Sequence, residues 1–158
     1  MGVSAVSLFL SEINETETIK NAKIFLGKDF QNYIAYSGMN RLNLSSPVLD
    51  PTGVGGSGGV NGIESKNIVN LNAEFAVKAV CDTINSCSSS PRRPYKQILQ
   101  MKYIKELLDY EIWINLGYEK TNYYTLRSRA YIEFAQRFET WKVRDHATNL
   151  PTLIEFQK

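Results

Sequence analysis

The chain has 158 residues, of which 43% are hydrophobic and 22% are charged. Because this length and apolar content are sufficient for a packed core, they exclude a wholly disordered chain and predict either one domain or one domain with appendages. No stretch approaches the roughly eighteen consecutive apolar residues that suggest a membrane-spanning helix. The apolar start, residues 1–10, lacks the basic flank of a signal peptide. We therefore expect no membrane partner and a cytoplasmic location.

Positive charge is concentrated in one part of the sequence. Residues 1–91 carry 6 Lys/Arg and 8 Asp/Glu, a net charge of −2, whereas residues 92–144 carry 11 Lys/Arg and 6 Asp/Glu, a net charge of +5. The last segment, residues 145–158, has a net charge of −1. A local excess of cations is typical of a segment that faces the phosphates of a nucleic acid.

The first half of the chain predicts one helix followed by a loop. Apolar residues recur at helical spacing from Glu15 to Ser37, with Thr16 or Asn14 as the N-cap and Gly38 after the last turn. Residues 53–62 contain six glycines and predict a flexible loop. Residues 53–58, GVGGSG, match a dinucleotide-binding spacing, but residues 50–52, DPT, interrupt the strand that this motif needs.

The second half predicts further helices and no alternating strand. One long helix is expected from Ile63 to Cys87, residues 86–94 break it, and the pattern is helical again from Pro94 onward. The predicted fold class is therefore all-α. We divide the chain into an N-terminal helical region (1–52), a Gly-rich flexible loop (53–62), a connecting long helix (63–90), a helix-turn-helix domain (91–144) and a C-terminal tail (145–158).

Residue types that carry catalysis or bind metals are scarce. Cys81 and Cys87 are six residues apart, and His146 is the single histidine in the sequence. Zinc sites have more closely spaced cysteine pairs and additional ligands, so two buried, reduced thiols are the expected alternative. Because no nucleophile motif is present either, we expect neither an enzyme nor a cofactor or metal site.

The segment 109–141 has the pattern of a helix-turn-helix. Asp109 can N-cap a short helix, Gly117 suits the tight turn, Tyr118 is the apolar turn residue, and a longer helix begins near Thr121. The apolar face of this second helix has three- and four-residue spacing and consists of Tyr123, Leu126, Ala130, Phe134, Phe138 and Trp141.

Polar residues occupy the rest of the second helix near its start. Short hydrogen-bonding side chains mixed with cations suit a helix in the major groove of duplex DNA. The candidate DNA-binding residues are Lys120, Thr121, Asn122, Tyr124, Thr125, Arg127, Ser128 and Arg129. Among them we expect Arg127 and Arg129 to reach phosphates and Asn122 to read a base. The alternative is an amphipathic helical hairpin with a solvated polar face.

Several short motifs resemble those of the ArpU-type phage transcriptional regulators. They are residues 95–104, YKQILQMKYI; residues 112–118, IWINLGY; the pair Tyr123 and Tyr124; and residues 130–135, AYIEFA. The C-terminal half of that family resembles the fourth region of bacterial sigma factors. Residues 18–22, TIKNA, followed by Tyr33, a Ser-Pro loop and an Ala/Val-rich helix, extend the resemblance through most of the chain.

The resemblance implies a sequence-specific DNA-binding protein of a bacterial host cell, which activates phage or prophage late genes with host RNA polymerase as a partner. Two residues depart from the family pattern, because Trp113 stands at a position usually held by a small residue and Glu119 at one usually held by Ser or Thr. The alternative function is a phage DNA-packaging adaptor, a small terminase-like protein that binds DNA as an oligomer. The sequence leaves the oligomeric state open.

Overall fold

The computed structural model describes residues 12–44 and 64–158, with side chains in the second range from residue 72 onward. The predicted Gly-rich loop 53–62 lies outside these residues. The helices are α1 (Glu15–Ile24), α2 (Phe30–Ser37), α3 (Glu64–Ser86), α4 (Tyr95–Leu99), α5 (Asp109–Leu116) and α6 (Lys120–Arg144). Short π-helical segments, Phe25–Asp29 and Gln100–Ile104, follow α1 and α4, and a 3-10 turn spans Arg41–Asn43.

The predicted all-α class is confirmed. Across residues 12–44 and 64–158, β-structure is limited to two isolated bridges, Ile13 with Phe156 and Ser90 with Arg93. Within the same ranges, none of the helices combines the length and apolar character needed to cross a membrane.

The first predicted helix has the expected limits. Asn14 is its N-cap, and its side-chain oxygen accepts a hydrogen bond from the backbone N–H of Glu17 at 3.1 Å. Gly38 follows α2 with a φ of 71°, which explains why glycine suits this position. The π-helical turn between α1 and α2 has no counterpart in the sequence prediction, which assumed regular α-helical spacing from Glu15 to Ser37.

α6 is the central helix of the structure. It packs against α1, α3, α4 and α5, while α2 packs along α3. The main core contains fully buried aromatic residues from several of these helices, among them Phe25, Phe30, Phe134 and Phe138. Tyr131 and Ala135, which the sequence analysis left off the apolar face of α6, are also buried there. The main core thus connects both halves of the described chain.

The predicted tail, 145–158, folds back onto the core. Ala147, Leu150 and Leu153 are buried in the main core. The backbone N–H of Asn14 donates to the carbonyl of Glu155 at 2.8 Å, and the backbone N–H of Gln157 donates to the carbonyl of Glu12 at 2.9 Å. These two hydrogen bonds hold the start of α1 against the end of the chain.

The ammonium of Lys142 is a second anchor for this last segment. Lys142 is 5% exposed. Its Nζ donates to the carbonyl of Pro151 at 3.1 Å and to Oγ1 of Thr152 at 3.3 Å. The carboxylate of Glu139 lies 2.9 Å from the same Nζ. A buried ammonium group with several acceptors and a counter-ion is stabilised where an isolated one would not be.

The two cysteines are free and buried, in agreement with the expectation of buried or reduced thiols. Burial is the largest cause that raises the pKa of Cys81 to about 12, with a smaller contribution from the charge of Asp82. Burial likewise raises the pKa of Cys87 to about 12. Burial therefore favours the protonated thiol over the thiolate, which is the nucleophilic and metal-binding form, at both cysteines.

A cluster of three ionisable groups joins α3 to the end of α6. Nζ of Lys78 lies 2.7 Å from the carboxylate of Asp82 and 3.3 Å from that of Asp145. Burial, followed by the hydrogen bond and the charge of Asp82, raises the pKa of Asp145 to about 6, and Lys78 only partly opposes this. The folded state therefore binds a proton on Asp145 more tightly than the unfolded chain does.

This raised pKa predicts a pH-dependent contribution to stability. The contribution is fully present below the ordinary aspartate pKa and is lost as the pH rises through about 6. Between pH 4 and pH 7 the loss is expected to be on the order of 2 kcal/mol. Asp145→Asn should flatten the dependence in this range, which urea titrations at several pH values would measure. Parallel curves for wild type and variant would contradict the assignment to Asp145.

Candidate nucleic-acid interface

The short helix α5 and the long helix α6 are joined by a tight turn. Gly117 follows α5 with a φ of 79°, a conformation that glycine adopts without the steric cost of a Cβ atom. The backbone N–H of Tyr118 donates to the carbonyl of Trp113 at 2.9 Å and closes the last turn of α5. The predicted short helix, glycine turn and longer helix are therefore present, with α6 beginning at Lys120.

A small core of its own holds this helical pair together. Ile98 of α4, Ile112 of α5 and Tyr123 of α6 are each fully buried in it. The ring of Trp113 packs 5.8 Å from that of Tyr123, so the bulky residue at this position is accommodated by an aromatic contact. Leu126 contacts both this cluster and the main core and thereby links them.

The N-cap of α5 differs from the sequence prediction. Leu108, not Asp109, is the N-cap of α5, and its backbone N–H donates to the Glu111 carboxylate at 2.8 Å. Glu119 is the N-cap of α6 but forms no hydrogen bond with its side chain to the first turn. Backbone N–H groups at the start of α6 therefore remain available to an external acceptor.

Asp109 has a different role from the predicted one. Its Oδ1 accepts from Nζ of Lys102 at 3.1 Å and from the hydroxyl of Tyr123 at 2.6 Å, and its Oδ2 accepts from Nη1 of Arg127 at 3.1 Å. Burial alone would raise the pKa of Asp109, but the hydrogen bonds from Tyr123 and Lys102 and the charges of Lys102 and Arg127 outweigh it and lower the pKa. Asp109 therefore joins α5 to α6 as a carboxylate.

Arg127 differs from the expectation of a phosphate contact. Only 14% of its side chain is exposed, and besides the ion pair with Asp109 its guanidinium lies 4.7 Å from the ring centre of Tyr124 and 5.8 Å from that of Tyr131. The Tyr131 hydroxyl in turn hydrogen-bonds to that of Tyr103. Arg127 is thus part of a polar network inside the protein. Its acidic partner, Asp109, comes from α5, and its aromatic partners, Tyr124 and Tyr131, lie on α6 itself.

The exposed candidates form a narrower set than the sequence suggested. Tyr124 is partly buried, with its ring 5.9 Å from that of Trp113, and Ser128 is partly buried as well. The residues that the structure leaves exposed at the start of α6 are Lys120, Thr121, Asn122, Thr125 and Arg129. Among the described residues, neither Lys120 nor Arg129 forms an ion pair.

The network around Asp109 is the part of this region that sequence reasoning missed. Asp109 and Arg127 lie on different helices, so no periodic spacing connects them. A signal was nevertheless present, since an acidic and a basic residue both adjoin the predicted apolar faces of a helical pair. Within residues 12–44 and 72–158, where side chains are described, no group of three or more His, Cys, Asp or Glu residues is arranged to hold a metal ion.

Comparison with known proteins gives no relative for this chain. No protein-family model, no curated protein and no solved structure matches it.

Proposed function

We propose that the protein is a sequence-specific DNA-binding transcriptional regulator in which α5 and α6 act as a helix-turn-helix. The observation that carries the proposal is the segregation of side chains on the first turns of α6. One side of these turns is buried through Tyr123 and Ala130, whereas the other carries exposed hydrogen-bonding groups and the cations Lys120 and Arg129, which form no ion pair with any described residue. The N-terminal part of the second helix is the part that reaches base edges in this motif.

Two features of the pair support this use. The ion pair between Asp109 and Arg127 and the hydrogen bond from Tyr123 fix α6 to α5, which suits a helix that must enter a groove at a defined angle. Because α6 starts without a side-chain cap, its free N–H groups and the positive end of its dipole attract a phosphate there, and the exposed carboxylate of the N-cap residue Glu119 opposes this attraction. The proposed partner is duplex DNA, with no catalytic role for the protein.

The resemblance to ArpU-type regulators extends the proposal to the biological setting. In that setting the protein activates late genes of a phage or prophage and acts with host RNA polymerase in the bacterial cytoplasm. The packaging alternative predicts a ring-shaped oligomer, whereas a regulator predicts a monomer or dimer that selects a promoter site. Light scattering of the purified protein distinguishes the two.

Asn122 and Arg129 provide the test of the motif. Asn can form two hydrogen bonds with the edge of an adenine, so Asn122→Ala should cost about 1–3 kcal/mol on a preferred site and relax the preference at one base pair. Arg129→Ala should weaken binding to all duplexes and reduce the slope of log affinity against log salt by about one. Both variants should keep the helicity of the wild type, because both side chains are exposed.

The measurement begins with selection of a preferred duplex from a random-sequence pool by the wild-type protein. Anisotropy titrations then compare each variant on that duplex and on a scrambled duplex of equal length. An equal loss on both duplexes after Asn122→Ala would show that Asn122 does not read a base. Unchanged binding of both variants, with native circular dichroism, would show that the start of α6 is not the DNA-recognition surface.

A further inference from the structure

The turn that precedes α4 carries two adjacent arginines on the surface. The backbone N–H of Ser90 donates to the carbonyl of Arg93 at 3.2 Å, and the N–H of Arg93 donates back to the carbonyl of Ser90 at 3.0 Å. Oγ of Ser90 accepts a further hydrogen bond from the N–H of Arg93 at 3.2 Å. These contacts close a tight turn, and the side chains of Arg92 and Arg93 are both exposed.

Two anchors fix this part of the chain to the helix-turn-helix, one at the turn before α6 and one at the middle of α6. The hydroxyl of Tyr118, in the turn between α5 and α6, donates to the carbonyl of Pro91 at 2.5 Å. The carboxylate of Glu133 on α6 accepts from the backbone N–H and the hydroxyl of Ser88, at 2.5 Å and 2.8 Å. Arg92 and Arg93 therefore directly follow a residue, Pro91, that is hydrogen-bonded to the turn before α6.

The charges of the two arginines have no acidic partner in the described part of the chain, where each ion pair involves other cations. An internal role of the kind that Arg127 has is thus not available to them. The guanidinium group of an arginine can donate two hydrogen bonds to the oxygens of one phosphate. Phosphate contacts position a protein on duplex DNA without reading its sequence.

From this placement we infer that Arg92 and Arg93 form a second phosphate-binding element, which grips the DNA backbone beside the groove that α6 enters. The inference rests on the proposed function. The backbone at Ser88 and Pro91 is held by hydrogen bonds to the helix-turn-helix, so the two arginines start from a fixed backbone position next to the turn that leads into α6. This element determines how firmly the protein binds any duplex, while Asn122 and its neighbours determine which duplex it prefers.

The test is the salt dependence of binding to a short fluorescent duplex of mixed sequence, with the full chain. The variant Arg92→Ala/Arg93→Ala removes two cations, and Lys20→Ala/Lys23→Ala removes two exposed cations of α1 as a matched control. Each lost phosphate contact lowers the slope of log affinity against log salt by about 0.9. The arginine variant should therefore lose about 1.8 from its slope, so that the ratio of wild-type to variant affinity changes about tenfold between 50 and 200 mM salt.

The control should keep the slope of the wild type, and Arg92→Lys/Arg93→Lys should recover most of it, because charge is retained. Circular dichroism melting confirms that each variant is folded. If the wild type binds the duplex and Arg129→Ala lowers the slope while the double arginine variant does not, this inference is wrong and the proposed function stands. If the wild type shows no salt-dependent binding, the proposed function is wrong and the inference falls with it.

Discussion

Phe138→Ala is expected to lower the free energy of unfolding by about 3–5 kcal/mol, the usual cost of removing a fully buried phenylalanine. The ring of Phe138 is 0% exposed, and its centre lies 5.1 Å from that of Phe25 and 5.2 Å from that of Phe134. The substitution therefore leaves a cavity where the π-helical turn after α1 meets α6. Urea denaturation followed by far-ultraviolet circular dichroism measures the loss.

Val143→Ala is the matched control for this variant, because Val143 lies on the same helix with 63% of its surface exposed. It should change the free energy of unfolding by less than about 0.5 kcal/mol. The fluorescence of Trp113, beside the small core, and of Trp141, near the end of α6, should give the same unfolding midpoint as circular dichroism. Separate transitions, with only one of them shifted by Phe138→Ala, would contradict a shared core.

Asp109→Ala is expected to cost about 2–4 kcal/mol and to weaken DNA binding at the same time. Removal of one member of a buried charge pair leaves the other charge without compensation, which costs about 3–5 kcal/mol when burial is complete. Because the side chains of Asp109 and Arg127 are 23% and 14% exposed, solvent screening reduces this figure. Binding should weaken because α6 loses its ion pair and its Tyr123 hydrogen bond to α5.

The control for this second variant is the double substitution Asp109→Ala/Arg127→Met. It removes the stranded guanidinium as well and replaces its stem with an apolar side chain, so it should be more stable than Asp109→Ala alone. Denaturation of the wild type, of Asp109→Ala, of Arg127→Met and of the double variant in parallel gives the coupling between the two residues. A cost of less than about 0.5 kcal/mol for Asp109→Ala would show that the ion pair does not hold the helices together.

Local rules predicted the helices well. The apolar spacing predicted the all-α class and the helix that starts after Asn14, and Gly38 and Gly117 marked ends where the backbone has a positive φ. These features depend on a few consecutive residues. The π-helical turn at Phe25–Asp29 was not predicted, because an additional residue in a turn is decided by tertiary packing.

The candidate site was predicted less completely than the fold. Thr121, Asn122 and Thr125 are exposed as expected, whereas Arg127 is held by Asp109 and by aromatic rings of α6. The sequence places Arg127 next to exposed residues, and only the position of α5 reveals its partner. The same limitation applies to residues 145–158, where Leu150 and Leu153 resemble an ordinary tail until α1 and α6 provide a surface for them.

α6 is one unbroken helix of 25 residues, and at 1.5 Å per residue it is about 37 Å long. One side of its first turns is exposed and its middle is buried in the main core, so the exposed end that we place in the groove and the buried middle belong to the same continuous helix. With α6 in the groove, the main core of the protein would therefore lie on one defined side of the duplex. A second protein bound to the same DNA would lie on the same side of the duplex only when the two binding sites are separated by a whole number of helical repeats. Each repeat is about 10–10.5 base pairs. Insertion of half a repeat would carry the two proteins to opposite sides of the DNA.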